Sequence, residues 1–118
     1  MTSSASYQQG DIVLVTVAYA DQQQRTKLRP VVIVSAEEYN AIGSDLLVAS
    51  ITSNPHPVPH VGDHRIEYWQ QAGLALPSIA QAKITTTTAQ RIRRKLGVLH
   101  PDDLQHLAVG LQRAFGFP

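Results

Sequence analysis

The longest apolar stretches in this chain are short and rich in β-branched residues, and polar segments separate them. Ile12 to Val17, introduced by Gly10 and Asp11, reads as one strand. Val31 to Val34 is entirely β-branched and too short for a helix, so it suits a strand covered on both faces. Pro30 lacks a backbone donor and biases Arg29 toward extended geometry, which makes Arg29-Pro30 a strand entrance. Asp45 to Ile51 is a further strand, ending in Thr52 and Ser53, and His64 to Trp69 and Ile79 to Ile84 complete a set of about five. Between the first two strands, Tyr19 to Leu28 is rich in Gln and charge with nothing to bury. It reads as a loop of about ten residues, longer than the usual hairpin connection of about two to five, and a mobile flap over any site beside Arg29.

Helical signals are fewer. Ala36 to Ser44 supports a short helix or turn that breaks at Gly43. Thr87 and Gln90 form a capping-box pattern, predicting a helix to Leu96 with Gly97 as its stop. Ala89, Ile92 and Leu96 would be buried on that helix, with Arg91, Arg94 and Lys95 in solvent. Pro101 at a first helical position, followed by Asp102 and Asp103, predicts a final amphipathic helix. Its apolar stripe is Leu104, Leu107, Ala108, Leu111 and Phe115. Residues 70–78 form a turn bracketed by Gly73 and Pro77. The fold class is therefore α+β and mainly β: a small, strongly curved antiparallel sheet or barrel with short helices and a C-terminal amphipathic helix.

With 118 residues and 43% hydrophobic content, the chain supports one compact core, assigned to residues 10–118 behind a disordered tail of residues 1–9. The absence of cysteine removes disulfides and thiolate metal sites and is compatible with a cytoplasmic location. No membrane-spanning or signal segment is evident, so a membrane partner is not expected. A formal net charge of +1 does not by itself advertise nucleic-acid binding, and local patches must carry it. Those patches are Arg25, Lys27 and Arg29, then Lys83, then the run from Arg91 to Lys95. His56, His60 and His64 recur every four residues, but Pro55, Pro57 and Pro59 exclude the helix that would align them. They read as surface histidines of an extended loop, and no metal site is assigned.

The order GDIVLV, KLRPVVIVS, LLVASITSN, WQQAGLALPS, IAQAKITT and IRRKLGVL resembles the MazF/PemK-like toxin family from about Gly10 to the final helix. Its most specific elements are Arg29-Pro30 with Thr52-Ser53. The resemblance implies an SH3-like barrel that forms a homodimer and cleaves single-stranded RNA without a metal or other cofactor. It further implies an antitoxin whose peptide covers the active groove. Arg29 and Thr52 are the implied catalytic residues; Lys27, Ser53, Gln81 and Lys83 are candidates for substrate binding.

RNA carries its own nucleophile, the 2′-hydroxyl, so the protein needs only to orient it, stabilise charge on phosphorus and assist departure of the 5′-oxygen. Arg29 offers a fixed cation with forked donors, and the family view adds a general-acid role. Thr52 would hold the scissile phosphate or the 2′-hydroxyl, with Ser53 as a second donor. Several relatives carry an arginine and, two residues later, an acidic residue where this chain has Gln81 and Lys83. That change removes a carboxylate base and adds a phosphate-binding cation. The alternative reading is a catalytically weak dimer that binds its antitoxin and, with it, promoter DNA.

Overall fold

Val31, Val32 and Ile33 are buried between two apolar clusters, and the sheet is assembled around them. The computed structural model describes residues 3–19, 22–54 and 58–118. Its strands are β1 (Asp11–Tyr19), β2 (Gln22–Ile33), β3 (Asp45–Thr52), β4 (His64–Arg65), β5 (Ile79–Thr88) and β6 (Ile92–Val98). They form one 6-stranded antiparallel sheet in the order β4-β5-β3-β2-β1-β6. The expected mainly β architecture is present, with hydrogen-bonded pairing left open between β4 and β6.

Alternation along the strands divides the core. Ile12, Val32, Ala49, Ile51 and Ala80 face one cluster, closed by Ile66 and by Leu107 and Leu111 of α2 (Pro101–Phe115). Val13, Val15, Val31, Ile33, Leu46 and Val48 face the other. Burial of each large side chain contributes about 1.5–3 kcal/mol, so the β-branched run is stabilised from both sides. The short helix expected after it is α1 (Glu37–Asn40).

Three expected elements take another form. The segment expected as a loop from Tyr19 to Leu28 is strand wherever it is described: β1 and β2 make a long hairpin, with Val17 opposite Lys27 and Ala18 opposite Thr26. Backbone pairing is indifferent to side-chain polarity, so a polar segment without apolar alternation can still be a strand. A free flap over residues 19–28 is therefore corrected; of that range, residues 20 and 21 lie outside the described residues.

The helix expected from Thr87 to Leu96 is instead the end of β5, a 3-10 turn at Ala89–Arg91, and β6. Two register shifts in the β1–β6 pairing let Ile92 reach one cluster and Leu96 the other. A spacing of four would put both on one face of a helix or of a regular strand, and the bulges separate them. Gly97 lies in a strand because backbone presses on it: a Cβ there would sit 2.4 Å from the Ala72 carbonyl oxygen. The strand expected from His64 to Trp69 stops at Arg65 and gives way to turns.

Within the segment expected as a tail over residues 1–9, most of the described residues are exposed, but one of them is anchored. Ser4 is buried, and its hydroxyl donates to the carbonyls of Asn40, at 2.5 Å, and Gly43, at 3.0 Å.

The C-terminal helix begins at Pro101 as expected, but its buried line includes Asp103, Leu107 and Leu111, while Ala108 and Phe115 are exposed. Asp103 accepts from His64 Nε2 at 2.7 Å and from the amides of Glu67 and Tyr68 at 2.9 and 3.0 Å. One carboxylate thereby ties α2 to β4 and to the turn after it. Burial works against its charge, but the Glu67 amide, the His64 imidazole and the Tyr68 amide together hold the carboxyl below its ordinary range.

A folded-state pKa below the unfolded value means stabilisation that is fully present above the unfolded pKa and lost as pH falls through the folded value. Asp103→Asn should therefore destabilise the protein by roughly 3 kcal/mol at neutral pH and flatten its loss of stability below about pH 4. Thermal melts of both proteins from neutral to acid pH check this; parallel curves would contradict it.

Candidate functional site

Pro30 sits inside β2 and not at its entrance. Pairing with β1 passes through it, Leu14 opposite Pro30, whereas the ladder to β3 ends beside it at Val31 opposite Ser50. Proline has no amide hydrogen with which to extend that ladder. Continuing the register by two residues sets Arg29 opposite Thr52, as expected if the two strands are neighbours. Here β2 and β3 are no longer zipped together, and two grooves meet.

The larger groove, about 710 Å³, runs over the face of the sheet that carries Val15, Val31 and Val48. Arg29, Thr52, Gln81, Lys83, Arg91 and His60 border it. Gln81 and Lys83 alternate with Ala80, Ala82 and Ile84 along β5, so the apolar residues face α2 and the polar ones the groove. The smaller groove, about 330 Å³, lies between the β2–β3 gap and the turn 73–78. It shares Arg29, Pro30, Ile51 and Thr52 with the first and adds Ser53 and Arg94.

Of the residues singled out in the sequence, Arg29, Thr52, Gln81 and Lys83 come together around the larger groove, and Ser53 is reached across the gap. Lys27 borders neither groove, although strand alternation puts it on the same face of β2 as Arg29. Sequence reasoning missed the placement of His60, Arg91 and Arg94. His60 was read as a loop histidine, and the two arginines as solvent-exposed positions of a helix. They are exposed, but on β6 and the turn before it they reach opposite grooves. The other basic residues of that run have structural partners: Arg93 Nε donates to Thr16 Oγ1 at 3.0 Å, and Lys95 pairs with buried Asp11 at 3.2 Å.

Thr52 is set by local chemistry. Its Oγ1 accepts the Asn54 amide at 3.2 Å, a bond within the turn of a kind that Thr forms two residues along the chain. The hydroxyl proton then points elsewhere and can be donated to an anion. No carboxylate borders either groove among the described residues, and no ion pair there involves Arg29, Lys83, Arg91 or Arg94. The grooves therefore carry uncompensated positive charge and suit a polyanion. No described group of three or more His, Cys, Asp or Glu could hold a metal ion. His64 is committed to Asp103 and stacks on His106, and His56 lies outside the described residues.

The sequence profile of the PemK-like, MazF-like toxins of type II toxin-antitoxin systems matches residues 8–115. The chain belongs to this toxin family. Similar folds include an endoribonuclease in complex with its cognate antitoxin from a mycobacterial species, at 17% identity and TM-score 0.73, covering 95% of this chain and 97% of that one. Mycobacterium tuberculosis toxin MazF-mt6 is similar at 20% identity and TM-score 0.68, covering 90% and 98%. MazE-MazF from Deinococcus radiodurans is similar at 14% identity and TM-score 0.75, covering 95% and 98%. No curated protein matches the chain significantly. No helix among the described residues of the toxin is long and apolar enough to cross a membrane.

The charge of the grooves generates a test that needs no catalysis. The toxin should bind a single-stranded oligodeoxynucleotide, used as a polyanion without the 2′-hydroxyl, with affinity falling steeply as salt rises. Lys83→Ala and Arg91→Ala should each reduce the slope of log affinity against log salt by about one. Titrations at several salt concentrations measure it, and wild-type slopes in both variants would remove these residues from the binding surface.

Proposed function

We propose that this toxin is a metal-independent endoribonuclease that cuts single-stranded RNA and is restrained by an antitoxin peptide lying in its grooves. The observation that carries this reading is the convergence of Arg29 and Thr52 at the unzipped β2–β3 gap, in a chain of the MazF/PemK-like family. The 2′-oxygen forms a bond to phosphorus while the bond to the 5′-oxygen breaks, leaving a 2′,3′-cyclic phosphate and a 5′-hydroxyl. Arg29 stabilises the negative charge gathering on the phosphoryl oxygens, and the Thr52 hydroxyl donates to the same group.

Ser53, Gln81, Lys83 and Lys27 hold neighbouring parts of the RNA. The 2′-hydroxyl must lose a proton and the 5′-oxygen must gain one. His60, on the wall of the larger groove, is the side chain there best suited to transfer protons, since histidine is the commonest general acid and base. It answers the absence of a carboxylate among the described groove residues. An arginine proton is held too tightly for ready donation, so Arg29 acts mainly through its charge. The toxin works as a two-fold dimer whose protomers jointly line the RNA path.

Purified toxin should cut single-stranded RNA in excess EDTA. Arg29→Ala should slow cleavage by roughly a hundredfold to a thousandfold, and Thr52→Ala should slow it without altering assembly. Loss of cleavage on chelation would overturn the metal-independent mechanism. Equal rates for wild type and Arg29→Ala would leave a dimer that binds antitoxin and promoter DNA as the better reading. Sedimentation at micromolar concentration should give the dimer, and a monomer would count against the shared RNA path.

A further inference from the structure

Asp63 borders neither groove, yet its half-buried carboxylate is committed to two backbone amides beside the larger one. Oδ2 accepts the His60 amide at 3.2 Å, and Oδ1 accepts the Ala82 amide at 3.1 Å. His60 and Asp63 are bonded in both directions, because the Asp63 amide donates to the His60 carbonyl at 3.1 Å. One carboxylate thus closes the 60–63 turn and fastens it to β5.

The point of attachment is a weak place in the sheet. The β3–β5 register jumps from Ala49 opposite Ile84 to Ile51 opposite Ala80, so residues 81–83 face Ser50 alone. Bulged backbone of this kind re-aims side chains and leaves ladder groups unpaired. Pairing of β4 with β5 is confined to His64 opposite Ala80 and Arg65 opposite Ile79. Continuing that register would bring residue 62 opposite Ala82, but Gly62 turns away at φ +97°. The Asp63 carboxylate stands in for the missing strand carbonyl. On either side of Ala82, Gln81 and Lys83 border the larger groove. The turn has no room to slide, since a Cβ on Gly62 would be 2.8 Å from the Gly110 carbonyl oxygen and 2.9 Å from the Ala82 Cβ.

We propose that Asp63 is a positioning residue for RNA cleavage, its two hydrogen bonds holding His60 in place on the wall of the larger groove. The proposal rests on the reading of this protein as a nuclease in which His60 transfers protons. His60 is exposed, and the described hydrogen bonds that fix its backbone both come from Asp63. A proton-transfer group must meet its oxygen at about 2.6–3.2 Å, a tolerance that an unanchored loop does not meet. Asp63 itself touches neither the RNA nor the transferred proton.

The test uses the full-length toxin and a single-stranded RNA that it cleaves. In amide hydrogen exchange, Asp63→Ala should speed the exchange of His60 and Ala82 together, and unchanged rates would overturn the clamp. In cleavage, His60→Ala should lower kcat by at least about a hundredfold, and Asp63→Ala by roughly tenfold to a hundredfold, the scale of a misplaced group. The double variant should be no slower than His60→Ala alone. Asp63→Ala should also blunt the limb of the kcat–pH profile that His60→Ala removes. Asp63→Asn, which keeps one accepting oxygen, should recover part of the loss, and it serves in both arms if Asp63→Ala does not fold. Additive losses would overturn the proposal and leave Asp63 a purely structural residue. Cleavage that depends on Arg29 but not on His60 would also overturn it, with the nuclease reading intact. A wild-type toxin that cuts no RNA would defeat the nuclease reading and the proposal with it, a result that precedes any variant.

Discussion

A proline in the middle of a central strand leaves the sheet one donor short, and the candidate site is built on that shortage. The β-branched residues after Pro30 are buried on both faces and hold β2 in place. On the other side of the proline, the β2–β3 ladder stops, although β1 continues to pair. The rigid half of the strand thus delivers Arg29 to an opening at a fixed register. Thr52 reaches the same opening from β3, its oxygen held by the Asn54 amide. Neither residue depends on a free loop for its position, which favours a preorganised site.

Two close backbone approaches and one buried carboxylate secure the surroundings. Gly73 against Leu96 and Gly97 against Ala72 lock the 70–78 turn to β6. Gly110 approaches Gly62 so closely that a Cβ on it would be 2.7 Å from the Gly62 carbonyl oxygen, which seats α2 beside the loop leading to β4. Asp103 then gathers His64 and two turn amides onto the first turn of α2. The helix contributes no groove residue. It keeps the turn bearing Leu74, Leu76 and Ser78 at its distance from Arg29, a structural role with functional reach.

The charges follow the same division. With ten basic and nine acidic residues, the chain as a whole has no strong field. Asp11 and Asp103 are occupied by structural partners, and no carboxylate borders the grooves among the described residues. A nearly neutral protein thereby presents a positive path where two grooves meet. In the RNA reading, that path takes the sugar-phosphate backbone.

The residues alone were enough for the strands whose apolar sides are buried and for the proline-initiated final helix, and they put Arg29 and Thr52 on two strands that the sheet makes neighbours. Each is a local pattern: β-branched runs, Pro followed by acidic residues, a cation and a hydroxyl beside apolar strand segments. The 19–28 hairpin arm was not legible, because a polar segment carries no apolar alternation and its strand character comes from pairing with another strand. The 92–98 strand was misread as helix, because Thr87, Gln90 and Gly97 look like helix boundaries and the spacing of Ala89, Ile92 and Leu96 looks like a stripe, whereas the two bulges that send Ile92 and Leu96 to different clusters leave no mark in the sequence. The positions of His60, Arg91 and Arg94 were likewise beyond sequence reasoning, since they reach the grooves from segments distant along the chain. Asp103 looked like a helix-dipole residue and became a buried hub only when β4 was packed against α2. Local chemistry determined which side chains could act; the register, the bulges and the backbone contacts decided which of them meet.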